Sequence, residues 1–468
     1  MKTDVIEKIK YIETHYPVET IEYDGIKLWP FLRPNMFTIY YYSDQDSNPA
    51  VMKKCSPIRR VWEAITTTSL KVMFKKNAAF IFTDDVGVKK YNGIYVDRIM
   101  QGFFDIEPET IPCVIKLMPK TIVAENKYIN SDFIILIIKL MGVFYKTKKV
   151  DIKNISVLDD IIAYLKIEFD YSKYLDLFKI LLDFYSWYFN KIKPSKIYVN
   201  CYYDFWRLPA FFIAKRMQIP VIEMQHGLIN TSHIAYAGFK NITPNPYPDY
   251  LFVFGDKFKS AISEYVYPHG NIFSVGSYYI NLMLKSKERN VELFNKKYSN
   301  LSDKIIITVV SQHDIDEKIL DFVKNVAGID DRLFFIFIPR FVKDYHLHFK
   351  NNNVMMELEF DVYQCMQNSH ITTAVVSTCA VESLAFATPV VLLNIDGLAA
   401  FNYSHFFSGI RSVLYATSPE EYIEQVYKAV NFNKDSVVEE GRLFFTDNYS
   451  ERLKNAIAEI SDKYNAVL

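Results

Sequence analysis

The sequence predicts an α/β protein with two domains, each built around a parallel sheet. Its 468 residues exceed what one compact core usually organises, so two domains of about 200 residues each are the natural expectation. Strand-length apolar runs alternate with helical segments of about 10–15 residues, first between Lys196 and Gly276 and again from Lys304 onward. This alternation is typical of βαβ units, which form parallel sheets.

The first domain is predicted element by element from this pattern. Helical periodicity covers residues 1 to about 60, and "AAFIFTDDVG" (Ala78–Gly87) is predicted to be a buried strand that ends on a polar turn. The pattern from Phe133 to Lys193 is mostly helical. The remaining predicted elements are the strands "KIYVN", "PVIEMQ", "DYLFVFG" and "NIFSVG" and the helices "DFWRLPAFFIAKRMQI" and "DKFKSAISEYVY".

A polar helical stretch, residues 285–304, interrupts the alternation. We interpret it as the connection between an N-terminal domain of residues 1–284 and a C-terminal domain of residues 305–468. The C-terminal domain is predicted to contain the strands "KIIITVVSQHD", "LFFIFIPR", "NVMMELEF", "ITTAVVST" and "PVVLLNID" and the helices Glu317–Val326, "VYQCMQNS", "CAVESLAFA", Pro419–Val430 and Glu451–Lys463. Two such domains are expected to leave a cleft between the carboxyl ends of their sheets, where ligands bind.

Composition excludes several classes of protein. Lys plus Arg and Asp plus Glu both number 54, which argues against a surface that coats nucleic acid. The five cysteines contain no CxxC pair, so neither a zinc site nor a disulfide framework is predicted, and a reducing cytoplasm fits best. The charged N-terminus does not resemble a signal peptide. The most apolar run, Phe133–Tyr145, is 13 residues long and predicts a buried helix, not a span. Peripheral contact with a membrane stays open.

The first candidate site is "VVSTCAVESLAF", where a strand stops at Ser377 and Thr378 and a helix begins at once. Free N–H groups at a helix start, together with two hydroxyl groups, form an anion site. Glu382, one turn later, is placed to accept hydrogen bonds from ribose hydroxyls. Simple N-capping explains the same spacing, so both interpretations stand at this point.

The second candidate is "QHG" at Gln225, His226 and Gly227, again at the end of a strand. Gly227 permits close approach of the backbone to a ligand, or a positive φ. The His226 imidazole is suited to act as a base, or as a phosphate ligand when protonated. The alternative is a loop histidine that bonds to a carbonyl group.

The third candidate is "FTDDVG", where Asp84 and Asp85 supply a general base or simply close a turn.

Asp-x-Asp, a pattern that binds metals in some glycosyltransferases, occurs at Asp44/Asp46 and at Asp314/Asp316, where chance and helix capping explain it. The chain contains no GxxxxGK[ST], GxGxxG, HExxH or GxSxG motif, which disfavours P-loop kinases, dinucleotide oxidoreductases, zinc proteases and α/β-hydrolases.

Four of these stretches together resemble a known family. "MQHGLIN", "PYPDYLFVFGDKFKSAI", "FSVGSYY" and "VVSTCAVESLAFATPVVLLN" are similar to bacterial GT-B glycosyltransferases that build capsule and lipopolysaccharide O-antigen, and "YDGIKLWPFLR" and "KKYNGIYVDRIM" resemble N-terminal pieces of the same group. "QHG" followed by "PDY…FG" is the more specific pair of motifs. The resemblance covers the chain from about Tyr23 to Asn394 in short, separated segments.

The resemblance implies a GT-B-like fold, in which two Rossmann-like domains face a central cleft, with extra N-terminal helices. It implies that Ser377 and Thr378 hold the donor phosphate and that Glu382 contacts the ribose. It also implies that His226 lies in the cleft on the side of the N-terminal domain. No metal or other cofactor is implied beyond the nucleotide-sugar co-substrate. Relatives often carry a histidine after the second C-terminal strand, where this chain has Pro339 and Arg340. Arg340 is then expected to offer positive charge to the donor phosphates.

The resulting hypothesis is metal-independent, inverting glycosyl transfer from a nucleotide sugar to a hydroxyl of a surface glycan or lipid-linked acceptor. His226, Asp84 or Asp85 would be the base. The expected location is the cytoplasm, including the cytoplasmic face of the inner membrane. The alternatives are CDP-polyol phosphate transfer of the teichoic-acid type and a GT-B-like scaffold that binds a nucleotide sugar without turnover.

Overall fold

The computed structural model describes residues 4–43, 56–116, 128–144, 152–340 and 353–465. The chain divides into two compact units, which interleave along the sequence. The N-terminal unit comprises Met1–Val253, Lys259–Phe273 and Ser450–Leu468, and the C-terminal unit comprises Phe254–Phe258 and Ser274–Tyr449.

The N-terminal unit contains a seven-stranded sheet, a three-stranded sheet and a hairpin. Its strands are Glu22–Tyr23 (β1), Ile26–Lys27 (β2), Ala79–Asp84 (β3), Val88–Tyr91 (β4), Ile94–Asp97 (β5), Thr110–Ile115 (β6), Ile129–Asn130 (β7), Ile152–Lys153 (β8), Ile197–Val199 (β9), Val221–Met224 (β10), Tyr250–Val253 (β11) and Ile272–Ser274 (β12). Its helices before the C-terminal unit are Val5–His15 (α1), Trp29–Tyr42 (α2), Pro57–Thr67 (α3), Leu70–Met73 (α4), Gln101–Ile106 (α5), Ser131–Phe144 (α6), Ile155–Leu165 (α7), Tyr171–Ile192 (α8) and Leu208–Arg216 (α9).

The large sheet of this unit has the order β12-β11-β10-β9-β3-β6-β7. β3 pairs in parallel with β6 on one side and with β9 on the other. The chain runs outward from β3 to β7 and then returns to build β9 to β12 in the opposite direction. The switch point of the topology therefore lies between β3 and β9, and ligands of open α/β sheets bind beyond the carboxyl ends of strands at such a point.

The C-terminal unit contains a six-stranded sheet of order β15-β14-β13-β16-β17-β18, with every pair parallel. Its strands are Ile305–Val310 (β13), Leu333–Ile338 (β14), Val354–Met356 (β15), Ile371–Ala374 (β16), Val390–Leu393 (β17) and Val413–Ala416 (β18). Its helices are Tyr278–Lys285 (α10), Lys287–Lys297 (α11), Asp316–Ile329 (α12), Val362–Asn368 (α13), Cys379–Glu382 (α14), Leu398–Tyr403 (α15), Pro419–Ala429 (α16) and Lys434–Arg442 (α17). The switch point here lies between β13 and β16.

The strands of both sheets are nearly continuous apolar runs because helices cover both faces. In β13 all residues after Ile305 are buried, and in β10 all four are. Side chains of β13, β14, α12 and α16 share one core, which includes Ile307, Phe335, Leu320 and Tyr422. The predicted α/β architecture with parallel sheets is thus confirmed.

The domain boundaries of the structure differ from those expected from the sequence. The final helix, Tyr449–Asn465 (α18), packs on the N-terminal unit, where the ring of Tyr464 lies 6.3 Å from that of Tyr250. Residues 285–304 belong to the C-terminal unit, because α11 is tied to α13 by a hydrogen bond of 2.7 Å from Asn290 to Gln367. A polar composition alone does not distinguish such a packed surface helix from a connection.

One predicted helix is wrong. The segment "DKFKSAISEYVY" forms only a 3-10 helix, Asp256–Ala261, before the chain turns. Tertiary contacts redirect it, since the Ser263 hydroxyl donates to the Gly238 carbonyl (2.6 Å) and the Ser263 N–H donates to the Tyr236 carbonyl (3.0 Å).

The apolar run predicted as a buried helix is α6, and only part of it is buried. Ile134 and Ile138 are inaccessible, whereas Leu140 and Val143 are 54% and 78% exposed. Within the described ranges, no helix is both long and apolar enough to cross a membrane.

Candidate functional site

Polar side chains converge at the switch point of the N-terminal unit. Asp84 ends β3, and Asn200 directly follows β9. The Asn200 amide donates to Asp84 Oδ2 (2.6 Å), and Arg207 donates to Asn200 Oδ1 (3.0 Å) and to the Cys201 carbonyl (2.9 Å). The other carboxylate oxygen of Asp84 accepts the Val86 N–H at 3.0 Å. Asp84 is thus both a turn residue, as one interpretation predicted, and a member of a polar network at the strand edge.

His226 follows β10, one strand further along the same edge. Its Nε2 lies 3.1 Å from the Tyr203 hydroxyl oxygen, and its buried Nδ1 makes no hydrogen bond of normal geometry. Burial lowers the pKa of the ring to about 4, and Arg207 contributes to this shift, while the charge of Asp84 and the Asn200 backbone oppose it. The imidazole is therefore uncharged at neutral pH, which suits a proton acceptor and not a cationic phosphate ligand.

The other residues predicted around His226 have mainly structural contacts. Asp85 is buried and forms an ion pair with Lys116 (2.9 Å). Gln225 is also buried, and its side-chain amide donates to the Gly227 carbonyl (2.8 Å). Gly227 does not have the positive φ that one interpretation required, but a Cβ there would meet no protein atom within 4 Å.

Two further ionisable residues of this region were not predicted from the sequence. Glu223 of β10 is inaccessible and accepts hydrogen bonds from the Tyr267 hydroxyl (2.6 Å), the Tyr236 hydroxyl (2.9 Å) and the Tyr202 N–H (3.3 Å). Burial outweighs these bonds and raises the pKa of its carboxyl group to about 8. Glu223 is therefore largely a neutral acid at pH 7.

His233 is the second unpredicted residue. Its ring lies 5.7 Å from that of Tyr203 and 4.8 Å from that of Tyr236, measured between centroids. The Ala235 N–H donates to its Nδ1 (3.3 Å), which leaves the proton of the neutral ring on Nε2. Burial, with a smaller contribution from His226, lowers the pKa of this ring to about 3. Two uncharged imidazoles thus flank one tyrosine at the end of β10.

The Glu223 carboxyl group should make stability depend on pH. Its pKa is higher in the folded protein (about 8) than in the unfolded chain (about 4.5), so its stabilising contribution is complete below pH 4.5 and is lost as the pH rises towards 8. Glu223→Gln, which cannot ionise, should gain stability relative to the native protein across that window by up to about 1.4 kcal/mol per pH unit. Calorimetric melting temperatures of both proteins from pH 5 to 8 test this. A difference that stays constant with pH would show that Glu223 is already ionised in the folded protein.

The N-terminal helices anchor the loop that follows His226. Glu13 of α1 and Arg33 of α2 form a buried ion pair (2.7 Å). Arg33 donates to the Ala237 carbonyl, and Glu13 accepts the Phe239 N–H (2.7 Å) and the Trp29 indole N–H (3.0 Å). The "WPFLR" part of the N-terminal motif is therefore explained by packing against this loop.

In the C-terminal unit, the strand ends on both sides of the switch point are joined by hydrogen bonds. Gln312, after β13, accepts the Val376 N–H on its side-chain oxygen (2.8 Å). Ser377, after β16, receives a hydrogen bond from the Tyr403 hydroxyl on its carbonyl oxygen (2.6 Å), and its hydroxyl accepts the Cys379 N–H (3.3 Å). Ser377 and Thr378 are partly exposed at this edge. Neither Gln312 nor Tyr403 was predicted from the sequence.

The helix predicted after Thr378 is short. α14 has four residues and continues as a 3-10 helix, Ser383–Phe386. Thr378 makes no capping bond through its side chain, so the capping interpretation of its hydroxyl is not supported. Glu382 is 8% exposed, and its Oε1 accepts a hydrogen bond from Tyr363 (3.0 Å).

The remaining predicted positions are distributed as follows. Arg340 is exposed two residues after the end of β14, at the same edge of the sheet as Ser377. Asp316, the first residue of α12, is buried and accepts hydrogen bonds from the Ser311 hydroxyl (2.8 Å) and the Gln312 N–H (2.7 Å), which precede the helix, so its carboxylate does not cap α12. Asp44 and Asp46 lie outside the described residues. The described part of the chain contains no group of three or more His, Cys, Asp or Glu residues placed to hold a metal ion.

The glycine of the "PDY…FG" motif has a packing role. A Cβ on Gly255 would lie 2.5 Å from the carbonyl carbon and oxygen of Phe444. Gly276 of "FSVG" has φ +89°, and its Cβ would lie 2.6 Å from the Thr446 oxygen. Both glycines therefore allow backbone segments of the C-terminal unit to touch, which no side chain at those positions would permit.

Comparison with known proteins extends only to fold. No protein-family model and no curated protein sequence matches the chain. Among solved structures, UDP-GlcNAc 2-epimerase from Neisseria meningitidis, bound to UDP-GlcNAc, aligns with a TM-score of 0.50 and 12% identity over 82% of this chain and 99% of its own. UDP-GlcNAc 2-epimerase from Methanocaldococcus jannaschii gives 0.48 and 12% over 82% and 99%, and a variant of the wall teichoic acid polymerase TagF gives 0.46 and 12% over 88% and 97%. The fold of this chain is thus GT-B-like, with two Rossmann-like domains.

Proposed function

We propose that this protein is a glycosyltransferase, which moves a sugar from a nucleotide-sugar donor to a hydroxyl group of a growing surface glycan or lipid-linked acceptor. The observation that carries the proposal is the uncharged His226 imidazole, which is hydrogen-bonded to Tyr203 at the carboxyl edge of the seven-stranded sheet. The negative charge of Asp84 interacts electrostatically with this ring. The fold supports it, since the Neisseria epimerase of similar fold holds a nucleotide sugar.

In this proposal His226 is the general base. The acceptor hydroxyl replaces Tyr203 as the hydrogen-bond partner of Nε2 and passes its proton to the ring as its oxygen bonds to the anomeric carbon. The bond between that carbon and the nucleotide phosphate breaks, and its electron pair leaves with the phosphate. Asp84 stabilises the imidazolium that forms, because its negative charge favours the protonated ring. Attack from the face opposite the departing nucleotide inverts the anomeric carbon.

The C-terminal unit supplies the donor side in this proposal. The hydroxyl groups of Ser377 and Thr378 and the cationic Arg340 bind the diphosphate, and Glu382 accepts hydrogen bonds from the ribose. These groups offset the charge of the departing nucleotide, so the proposed reaction requires no metal ion. A lipid-linked acceptor would place the enzyme at the cytoplasmic face of the inner membrane.

A nucleotide panel tests the donor side. The melting temperature is measured with UDP, GDP, CDP, CMP and dTDP, with and without Mg²⁺, and a nucleotide at about 100 times its Kd should stabilise the fold by about 2.7 kcal/mol. One nucleoside diphosphate should raise the melting temperature in the absence of Mg²⁺. A response to CDP and CMP alone would favour polyol-phosphate transfer, and a bound nucleotide without turnover of its sugar would favour a scaffold.

Glu382→Ala should weaken binding of the responding nucleotide at least about tenfold, because ribose hydroxyls lose a charged acceptor. The matched control is Glu424→Ala, which removes an exposed carboxylate from α16 of the same unit. Calorimetric titration measures the nucleotide affinities of both variants. The melting temperature without nucleotide shows whether loss of the Tyr363 hydrogen bond destabilises the fold, and so separates that effect from lost binding. Equal affinities for the two variants would remove Glu382 from the donor site.

A further inference from the structure

Helix α3 presents its apolar side to solvent. Ile58, Val61, Trp62 and Ile65 are 83%, 42%, 67% and 49% exposed. Their spacing of three and four residues places them on one face of the helix. Ala64, which points elsewhere, is 1% exposed and is the helix's inward contact. Surface helices normally turn the apolar stripe towards the core, so α3 has the reverse arrangement.

Neighbouring elements add exposed apolar groups to the same part of the N-terminal unit. Leu70 of α4 is 59% exposed, and Phe74, which follows α4, is 43% exposed. Helix α6 carries the exposed Leu140 and Val143 and is tied to α3 by a two-pronged hydrogen bond from Arg60 to Asp132 (2.6 and 3.1 Å). Large apolar side chains exposed together in this way mark an interaction surface.

The charge of this region is positive, although the whole chain is neutral. Residues 56–77 contain five basic residues and one acidic residue, a net charge of +4. Arg59 pairs with Glu63 (2.8 Å), Arg60 with Asp132 (2.6 Å) and Lys75 with Glu109, while Lys71 and Lys76 are exposed. A helix with Trp and Ile on one side and cationic groups around them has the composition of helices that lie in the interface of an anionic bilayer.

We propose that α3 docks on an anionic lipid bilayer, with Ile58, Val61, Trp62 and Ile65 inserted among the headgroups and the flanking lysines over lipid phosphates. Charge complementarity favours lipid over a second copy of the chain, because two copies would bring the same positive regions together. The apolar stripe is a single exposed helix face, which matches a flat interface. This inference goes beyond the proposed function and holds whether or not the protein transfers a sugar.

The test uses the full chain and extruded vesicles. Cosedimentation with vesicles of phosphatidylglycerol and phosphatidylcholine is compared with that on pure phosphatidylcholine, at low and at physiological salt. The native protein should bind the anionic vesicles, and Ile58→Ser/Trp62→Ser should bind at least about tenfold more weakly. Trp187→Ser, which removes a tryptophan that is 52% exposed on α8, is the matched control and should bind like the native protein. Circular dichroism checks that each variant folds.

A second measurement locates Trp62. Vesicles with brominated acyl chains should quench tryptophan fluorescence of the native protein, and Trp62→Phe should bind equally but lose most of the quenching. Absence of vesicle binding, or binding that Ile58→Ser/Trp62→Ser leaves unchanged, would overturn the proposal. Self-association that this double variant abolishes, without any vesicle binding, would also overturn it and assign α3 to contact between copies.

Discussion

Replacing His226 by alanine is expected to lower the rate of sugar transfer by about 10²–10⁴, the usual contribution of a general base. Without the imidazole, the acceptor hydroxyl has to lose its proton to water as it attacks. Donor binding should hardly change, because the proposed donor contacts belong to the C-terminal unit. Initial rates of nucleotide release at saturating donor, with the nucleotide sugar selected by the binding panel, measure the effect.

Two variants show whether such a loss is specific to the imidazole. His269→Ala removes an exposed histidine of the same unit, which pairs with Glu264 (3.0 Å), and should keep the native rate. Tyr203→Phe removes the hydroxyl group that holds Nε2 and should keep the rate within about tenfold if the acceptor itself bonds to His226. An equal loss in Tyr203→Phe and His226→Ala would indicate that the proton passes through the tyrosine. A native rate in His226→Ala would exclude the base role.

The depressed pKa of His226 also fixes the pH range in which the base is active. Because the folded-state pKa is about 4, below its ordinary value of 6.5, the ring stays unprotonated from neutral pH down to about pH 4. The acid limb of kcat/KM, which reports the free enzyme, should accordingly fall well below pH 6. Because the folded-state pKa lies below the unfolded value, His226 makes its full contribution to the free energy of unfolding above pH 6.5. This contribution is lost as the pH falls through 4.

The fold was largely predictable because its strands are buried on both faces. β3, β9, β10, β13 and β14 appear in the sequence as apolar runs between turn residues, and parallel sheets require such runs. β18 was not predicted, although its four residues, Val413–Ala416, make it as long as β10. The allocation of α18 to the N-terminal unit was equally unpredictable, because it depends on contacts with residues about 200 positions earlier, such as Tyr250.

The sequence indicated which residues lie at the strand ends, but not which residues their side chains contact. Asp84 and His226 were identifiable because parallel strands end at a common edge. Asp84 and Asp85 were not separable in sequence, whereas in the structure Asp84 accepts a hydrogen bond from Asn200 and Asp85 forms an ion pair with Lys116. Glu223 looks like an ordinary strand residue, and its pKa depends on Tyr236 and Tyr267, which follow 13 and 44 positions later.

Gly255→Ala is expected to destabilise the C-terminal unit by about 3 kcal/mol, the upper end of the usual cost of overpacking. The added methyl group would lie 2.5 Å from the Phe444 carbonyl and 2.6 Å from that of Leu443, and these are backbone atoms that cannot rotate away. Thermal unfolding should show the loss as a melting temperature lower by about 6–12 °C. The glycine is therefore required by packing, even though it belongs to the motif that suggested a function.

Gly328→Ala is the control that separates this clash from the general effect of adding a methyl group. Gly328 lies in α12 of the same unit, and a Cβ there meets nothing within 4 Å. Alanine is the better helix former by about 1 kcal/mol, so this variant should melt at or above the native temperature. If Gly255→Ala instead melted like Gly328→Ala but lost nucleotide-dependent turnover, Gly255 would be needed for a ligand and not for the contact with Phe444. If Gly255→Ala is destabilised and Gly328→Ala is not, the "PDY…FG" motif is required for the fold. "QHG" would then be the motif of the pair that is a candidate for a catalytic role.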